Sequence, residues 1–423
     1  MIRRFVIGAL AVALPAGAAT PLPPFPATRA VLDGYVRSGR VPGAVAAIGV
    51  GDQPTVFLAA GRIAEETAAA PAGPDSLWRI YSMTKPVTAV AAMILIEEGK
   101  LRLDQPVADF IPAFATMRVQ DNPQTLESHP AKAQITIRHL LTHTAGLGYS
   151  IVTKGPLGEA YTKQGLVPFA LDERTEPRLR TTRPASLEAF ANRAAKLPLV
   201  AEPGTRWSYS IGLDVMARVV EVAGGMPFDR FVQTRIFAPL GMTSTFFTVP
   251  RSEIGRFATT YGYFGDISVP LDRADHSVFL IRPSFPYGGS GLVSSARDYD
   301  RFAHMLQDEG TLDGVRILKP ETARLMMSNL LPPGVAFAAP DGTGNPLPAG
   351  GGYGAGGLVV TTDRPNGARK GTYGWAGIGG TFFSVDPVRH RRVVVMVNYL
   401  PPGKWPLQRD VAAALNPELK AFP

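Results

Sequence analysis

The sequence predicts an α/β (α+β) fold: a five-stranded antiparallel sheet flanked by helices, with an inserted domain that is mostly helical. A first pair of strands is indicated by two apolar runs, 43–50 and 55–61, joined by a Gly-Asp-Gln-Pro turn. Three more apolar runs near the C-terminus complete the sheet, at 356–360, 380–385 and 392–398. Because the strands come from both ends of the chain, the helical stretch between them is predicted to be an insertion.

The composition is that of a globular protein with a large core. The chain has 423 residues, of which 45% are hydrophobic and 18% are charged, which is enough for two domains or for one domain with an insertion. We predict a sheet domain made of residues 20–111 and 286–423, and an inserted helical domain over 112–285. The chain has no cysteine, which excludes disulfides, thiolate metal sites and a cysteine nucleophile.

The first 19 residues have the pattern of a secretory signal peptide. Two arginines at positions 3 and 4 precede an apolar stretch over 5–14, and small residues continue to Ala19, so cleavage is expected after Ala18 or Ala19. Export without disulfides suits the periplasm of a bacterium, or secretion from it. An uncleaved anchor is the alternative, although the apolar stretch is short for a permanent membrane span. We expect no stable membrane span after cleavage.

Charge and motif content argue against several other functions. The net charge is +8, but the basic residues are scattered, with the densest groups at 174–183 and 389–392, and they follow no nucleic-acid-reading motif. The basic surface indicates solubility or weak attraction to anionic envelope components. None of the six histidines lies in an H-E-x-x-H pattern, and His143 is interpreted as structural. We therefore expect no nucleic-acid partner, no metal and no cofactor.

The segment around Ser82 carries the strongest catalytic signal. Ser82 precedes Lys85 by three residues, and the apolar run that begins at Val87 predicts a buried helix that stops at Gly99. Residues three apart on a helix share one face, so the hydroxyl and the amine can meet. The helix N-terminus favours an alkoxide, and a buried lysine can act as a base. Taken alone, however, S-x-x-K is most often a solvated helix cap.

Two further groups follow in the order that an acyl-transfer enzyme needs. Tyr209 lies in a turn just before a predicted helix over 211–223, where the positive helix end eases ionisation of a phenol that can exchange protons with a serine. The stretch Y-G-W-A-G-I-G-G-T-F at 373–382 predicts a glycine-rich strand edge, whose backbone N–H groups can hold an oxyanion. Alone, Tyr209 would be interpreted as a packing residue and the 373–382 stretch as a glycine-rich turn. Their order after Ser82 and Lys85 is what indicates a catalytic role.

In this order the motifs resemble the serine β-lactamase and penicillin-binding protein superfamily, and most closely the class C β-lactamase-like esterases, also called family VIII carboxylesterases. The resemblance covers about residues 27–415 and implies a β-lactamase/transpeptidase-like fold with the active site between the two domains. Supporting stretches are P-G-A at 42–44, L-L-T-H-T-A-G-L at 140–147, Y-S-I-G-L-D at 209–214 and G-S-G-L at 289–292.

The resemblance implies a role for each matching residue. Ser82 would be the nucleophile, and Lys85 and Tyr209 would share the work of general base and acid. The backbone N–H groups of Ser82 and Ile378 would form the oxyanion hole. The stretch W-A-G would fill the place of the lysine-threonine-glycine motif, with Trp375 and Gly377 as the substrate-binding residues.

Two departures from the class C pattern narrow the predicted function. Ile211 stands where an asparagine is expected, and Trp375 stands where the third motif has its lysine. Without that lysine, an anionic substrate loses a charge-assisted partner worth about 1.5–3 kcal/mol. Trp375 offers an apolar wall instead, which suits a neutral ester.

We therefore predict a serine hydrolase that cleaves small carboxylic esters through an acyl-enzyme on Ser82, and weak β-lactam hydrolysis stays open as a side activity. One alternative is a β-lactamase or D-alanyl peptidase acting on cell-wall-type substrates. Another is an acyl-binding protein or sensor that captures its ligand without turnover. The expected partner is a small-molecule ester or β-lactam-like substrate, and the sequence does not determine the oligomeric state.

Overall fold

The computed structural model describes residues 25–169, 171–337, 351–364 and 367–420. The predicted signal peptide, 1–19, lies outside this part of the chain. In the described residues the helices are α1 (Pro26–Arg37), α2 (Thr84–Glu97), α3 (Ile137–Leu141), α4 (Gly155–Lys163), α5 (Glu176–Arg180), α6 (Leu187–Ala194), α7 (Gly212–Gly224), α8 (Phe228–Val232), α9 (Ala296–Gln307), α10 (Pro320–Met326) and α11 (Leu407–Leu419). The strands are β1 (Gly43–Val50), β2 (Val56–Gly61), β3 (Leu77–Arg79), β4 (Arg118–Gln120), β5 (Ser128–Pro130), β6 (Thr260–Phe264), β7 (Ile267–Asp272), β8 (Val293–Ser295), β9 (Thr311–Leu312), β10 (Val315–Arg316), β11 (Gly351–Tyr353), β12 (Leu358–Val360), β13 (Tyr373–Ala376), β14 (Phe382–Asp386), β15 (Arg391–Met396) and β16 (Tyr399–Leu400).

The main sheet joins the two ends of the chain. Its strand order, within the described residues, is β11-β12-β13-β14-β15-β1-β2, and every pair of neighbours is antiparallel. The link between the two ends is the pairing of β1 with β15, which places Val45 opposite Met396. The predicted α/β class and the antiparallel sheet built from both chain ends are therefore confirmed.

The predicted number of strands, five, is too low, because this sheet contains seven in the described part of the chain. The additional strands are β11, which lies in the glycine-rich sequence 350–357, and β13, which the sequence indicates only as a glycine-rich strand edge. Glycine is uncommon inside strands because it has no side chain to pack, so both strands resemble turns in composition. At Gly374 a Cβ would lie 2.3 Å from the carbonyl oxygen of Phe383, so glycine is what allows β13 to approach β14.

Both faces of the sheet are covered, as β1 shows. Alternate side chains of a strand point to opposite faces. Val45 and Ala47 belong to the larger core, which also contains α2, whereas Ala46 and Ile48 belong to a second core formed with α1 and α11. The strand is buried on both sides, which explains its unbroken apolar sequence.

The segment 112–285 contains helices α3 to α8, in agreement with its predicted helical character. It also contains two short strand pairs, β4–β5 and β6–β7, that the sequence does not indicate. Strand β6 runs parallel to β16, which ties the segment to the C-terminal part of the chain. The division into two domains at residues 112 and 285 stays a prediction.

Helix α2 lies in the centre of the larger core. Every residue from Thr84 to Leu95 is buried, which is expected of a helix that is apolar on all sides. The helix packs against α7, α8 and α10. Across the described residues, no helix combines the length and the apolarity needed to cross a membrane.

Candidate active site

Ser82 lies in a short helical turn, Tyr81–Met83, directly before α2. The turn follows β3, which is fixed by its antiparallel pairing with β8. Tyr81 opens the turn with a φ of +41°, a conformation that residues with a side chain rarely adopt and that is common beside reactive groups. Its ring is buried, so the core holds the strained backbone in place next to the Ser82 hydroxyl.

Three predicted side chains meet at the Ser82 hydroxyl. The Lys85 Nζ donates a hydrogen bond to Ser82 Oγ at 3.1 Å, and the Tyr209 hydroxyl donates to the same oxygen at 2.7 Å. Lys85 lies in the first turn of α2, one helical turn from Ser82. Tyr209 comes from the turn before α7, 127 positions further along the chain. The arrangement places a nucleophile within hydrogen-bond reach of two groups that can move its proton.

The amine of Lys85 is enclosed by neutral groups. The side chain is fully buried, and its Nζ also donates to the carbonyl oxygen of Gly289 at 2.7 Å. The Nζ lies 4.6 Å from the ring centre of Tyr209 and 5.7 Å from that of Tyr149, which are cation–π distances. Within the described residues no carboxylate reaches ion-pair distance of Lys85.

His143 holds the turn that carries Tyr209. Its carbonyl oxygen accepts the backbone N–H of Ser208 at 2.9 Å, and its Nδ1 accepts that of Ser210 at 3.2 Å. The imidazole packs 4.8 Å from the Tyr209 ring, measured between ring centres. Burial, followed by the charge of a protonated Lys85, keeps the pKa of His143 well below its usual value, so the ring is neutral. His143 therefore fixes the position of Tyr209.

Aromatic rings line the region beside Tyr209. Trp375, on β13, lies 5.9 Å from the Tyr209 ring and 5.2 Å from the Tyr353 ring, between centres. Trp207 stacks on Tyr209 at 6.2 Å, and Tyr149 lies 5.5 Å from it. The only cation among the described ring contacts of this cluster is Lys85. Of these rings the sequence analysis predicts only Trp375 and Tyr209 as site residues. Trp207 could have been found from its position in the same turn as Tyr209.

The glycine-rich segment after β13 lies against the Ser82 turn. Strand β13 contacts the turn itself, and a Cβ at Gly377 would lie 2.5 Å from the carbonyl oxygen of Ile80. The Gly377 N–H is already bound to the carbonyl oxygen of Thr381 at 2.8 Å. Ile378, the next residue, is partly buried against the larger core. The structure thus brings the third predicted motif to the same place as Ser82.

A buried carboxylate that the sequence does not single out lies nearby. Asp214, in the first turn of α7, accepts the N–H of Gly289 on Oδ1 at 2.8 Å. Burial raises the pKa of its carboxyl to about 6, against the opposing effects of the Lys85 charge and the Gly289 hydrogen bond. The sequence shows Asp214 only as the last letter of the motif that begins at Tyr209.

One group of side chains has the geometry of a candidate metal site in the described residues. Asp52, His304 and Asp308 place one ligand atom each within 4.8 Å of one another. His304 Nε2 lies 3.1 Å from an Asp308 carboxylate oxygen. The group lies at the turn after β1 and the end of α9. It does not include any residue that contacts Ser82.

Comparison with known proteins identifies relatives over most of the chain. The family model described as Beta-lactamase matches residues 28–416. Protein Rv1367c of Mycobacterium tuberculosis is 35% identical over 367 residues, covering 83% of this chain and 84% of that protein. Esterase EstB of Burkholderia gladioli is 31% identical over 392 residues, covering 87% and 89%. The solved structure of EstCE1, described as a hydrolase with promiscuous acyltransferase activity, has a TM-score of 0.74 and 26% identity, covering 92% of this chain and 98% of that one.

Proposed function

This chain belongs to the β-lactamase family and is a serine hydrolase, and we propose that it cleaves small carboxylic esters through an acyl-enzyme on Ser82. The observation that carries the proposal is the convergence of the Lys85 amine and the Tyr209 hydroxyl on Ser82 Oγ, at 3.1 and 2.7 Å. The similarity to esterase EstB along most of the chain supports an ester as the substrate.

In the proposed reaction Ser82 Oγ attacks the ester carbonyl carbon. The serine proton passes to the Lys85 amine, and Tyr209 delivers a proton to the oxygen of the departing alcohol. The ester C–O bond breaks, and the acyl group stays on Ser82. Water then attacks this acyl-enzyme and gives a proton to the Tyr209 phenolate. The bond between the acyl group and Ser82 Oγ breaks, the Lys85 ammonium returns its proton to Ser82 Oγ, and the carboxylic acid is released.

The oxyanion that forms during attack needs hydrogen-bond donors. We assign them to the backbone N–H groups of Ser82 and Ile378, because β13 packs on the Ser82 turn and Gly377 lies against Ile80. Backbone donors that are held in fixed positions lower the barrier without having to reorganise. Gly377 contributes by its lack of a side chain, which lets the two segments come together.

A neutral substrate fits the surroundings of Ser82 best. The partly exposed ring of Trp375 provides an apolar surface, which the buried rings of Tyr149 and Trp207 back around Tyr209. Ile211 is buried where a polar side chain would be needed to contact an amide. Acyl transfer to an alcohol instead of water is a second candidate, which the similarity to EstCE1 favours.

The test compares p-nitrophenyl acetate and butyrate turnover by the wild type, by Ser82→Ala and by Ser38→Ala, an exposed serine at the end of α1 as control. We expect turnover to be lost in Ser82→Ala and kept in Ser38→Ala. Equal rates in the wild type and Ser82→Ala contradict the proposal. Nitrocefin or a D-alanyl peptide turned over far faster than the esters favours the cell-wall alternative, and a lasting acyl mass on Ser82 without turnover favours the sensor.

We also propose that the protein is exported to the periplasm or secreted by a bacterium. The support is the basic, apolar and small-residue pattern of the first 19 residues. N-terminal sequencing of protein recovered from the periplasm or medium tests this, with Thr20 or Ala19 expected as the first residue. A full-length chain retained in the cytoplasm contradicts it.

A further inference from the structure

Asp214 is a buried carboxylate that the proposed reaction does not use. Only 2% of its surface is exposed, and the residue lies in the first turn of α7. Its Oδ1 accepts the N–H of Gly289, and it forms no ion pair within the described residues. Burying a charged group without an ion pair is costly, so its presence next to the catalytic residues calls for an explanation.

The partner of Asp214 belongs to a strap, Gly288 to Ser290, that lies between α2 and α7. Thr88 on α2 donates its hydroxyl to the Gly288 carbonyl oxygen at 2.6 Å, and Asp214 binds the N–H at the other end of the same peptide at 2.8 Å. A Cβ at Gly289 would lie 2.6 Å from Asp214 Oδ2, so the strap rests directly on the carboxylate. The carbonyl oxygen of Gly289 in turn accepts from Lys85 Nζ at 2.7 Å.

Asp214 and Lys85 are also linked by charge. When Lys85 carries a proton, its positive charge lowers the pKa of the Asp214 carboxyl, and the interaction is mutual. All direct neighbours of the Lys85 amine are neutral: the Ser82 hydroxyl, the Gly289 carbonyl, and the rings of Tyr149 and Tyr209. When Lys85 takes up the Ser82 proton, an ionised Asp214 therefore stabilises the ammonium that forms.

We propose that Asp214 is a positioning residue for Lys85. It holds the Lys85 amine in place through the strap and, when ionised, favours transfer of the Ser82 proton to that amine. Acid therefore slows acylation by protonating Asp214. This inference rests on the proposed function, because it takes Lys85 as the acceptor of that proton. The ionisable groups that face Asp214 are Lys85 on α2, Tyr149 in the segment after α3, and Tyr287 before the strap. Burial raises the pKa of both tyrosines, so neither titrates in acid.

Three variants separate the charge of Asp214 from its hydrogen bond. In Asp214→Asn the amide oxygen can still accept the Gly289 N–H, but the negative charge is gone. Thr88→Val removes the other hydrogen bond to the same peptide and keeps the charge. Asp298→Asn is the matched control, because Asp298 is also buried, accepts the backbone N–H of Ser244 at 2.6 Å, and has a pKa raised by burial, yet does not contact the strap.

The measurement is kcat and KM for p-nitrophenyl butyrate from about pH 4.5 to 9, since an essential acid or base appears as an inflection in such a profile. The wild type should lose activity below about pH 6, the pKa to which burial raises Asp214. In Asp214→Asn, kcat at pH 7 should fall about 10- to 100-fold with KM unchanged, and this inflection should vanish. Thr88→Val and Asp298→Asn should keep the acid inflection of the wild type, because both variants retain the Asp214 carboxylate. Wild-type kcat together with a wild-type inflection in Asp214→Asn overturns the proposal.

A measurement on the wild type covers the case in which Asp214→Asn does not fold. Ionisation of a carboxyl has almost no enthalpy, whereas ionisation of an amine or imidazole absorbs heat. The pH of the acid inflection in the kcat profile should therefore not change when the temperature rises. A marked shift of the inflection to lower pH would indicate an amine or an imidazole and overturns the proposal. Activity that survives in Ser82→Ala contradicts the proposed function, whereas loss in Ser82→Ala with an unaffected Asp214→Asn contradicts only this inference.

Discussion

The indole of Trp375 lies 5.9 Å from the phenol ring of Tyr209, between ring centres, and the strand that carries it packs on the Ser82 turn. An apolar ring thus occupies the position at which the resemblance to class C β-lactamases leads one to expect a lysine. The contact joins the glycine-rich motif of β13 to Tyr209, whose hydroxyl donates a hydrogen bond to Ser82. Under the proposed function, we expect Trp375 to separate neutral from anionic substrates.

Replacing Trp375 by lysine should shift the substrate preference. Trp375→Lys removes the apolar wall and adds a cation, so we expect kcat/KM for p-nitrophenyl butyrate to fall about 10-fold and that for nitrocefin, an anion, to rise by a similar factor. The ratio of the two values is the measurement. Trp405→Ala, at a tryptophan that packs on Tyr263 away from the site, serves as control. An unchanged ratio in Trp375→Lys would count against a role in selectivity.

Removing one oxygen from Tyr209 should slow the reaction and leave the fold intact. In Tyr209→Phe the ring keeps its contacts with Trp207 and His143, while the 2.7 Å hydrogen bond to Ser82 is lost. We expect kcat to fall about 10²- to 10⁴-fold, the usual contribution of a general acid or base, with little change in KM. Steady-state kinetics with circular dichroism as a fold check test this. Wild-type kcat in the variant would remove Tyr209 from the mechanism.

The buried ion pair between Arg79 and Asp272 should be essential for stability. Arg79 lies on β3 just before the Ser82 turn and is fully buried with Asp272, so Asp272→Ala leaves a guanidinium uncompensated. We expect a loss of about 3–5 kcal/mol in the free energy of unfolding, measured with urea. Asp75→Ala, which breaks the exposed pair with Arg297, is the control, with an expected loss below about 1 kcal/mol. Similar losses in both variants would contradict this prediction.

His139 should make the protein less stable in acid. Burial lowers the pKa of its imidazole from 6.5 to about 4, so the unfolded chain binds a proton that the folded chain does not, and stability falls as the pH drops from about 6.5 to 4. His139→Gln does not titrate and can still accept the Thr136 N–H that caps α3. We expect it to be about 1–2 kcal/mol more stable than the wild type at pH 5 and equally stable at pH 7.

Urea unfolding at both pH values provides the comparison for His139→Gln. The decisive quantity is the difference between the two proteins, since other groups that titrate in this range contribute equally to both. A difference that does not change between pH 7 and pH 5 would show that His139 does not cause the acid loss.

The parts of the site that depend on local geometry were predictable from the sequence. Ser82 and Lys85 are brought together by one helical turn, and the apolar run after them is what buries α2. Tyr209 could be found only through the order of the motifs, because its contact with Ser82 spans 127 positions. Strand β13 could be predicted only in part. Its glycine-rich sequence is typical of a turn, although Gly374 is what permits the close pairing with β14.

Asp214 shows why the rest of the site could not be predicted. An aspartate in the first turn of a helix usually interacts with the positive helix end and remains in solvent. Asp214 is buried instead, because α7 packs against the 288–290 strap, and its carboxylate accepts the N–H of Gly289, which is 75 positions away. A long-range contact of this kind leaves no periodicity or spacing in the sequence.

The pairing of β1 with β15 has a consequence for biosynthesis. Strand β1 ends at Val50, whereas β15, which hydrogen-bonds to its inner edge, begins only at Arg391, so the ribosome makes β15 long after β1. Until then an apolar edge stays open to other chains, because a pairing so distant in sequence cannot form sooner. A deletion that removes β15 should therefore yield aggregates, and the nascent chain should depend on a chaperone until β15 has been made.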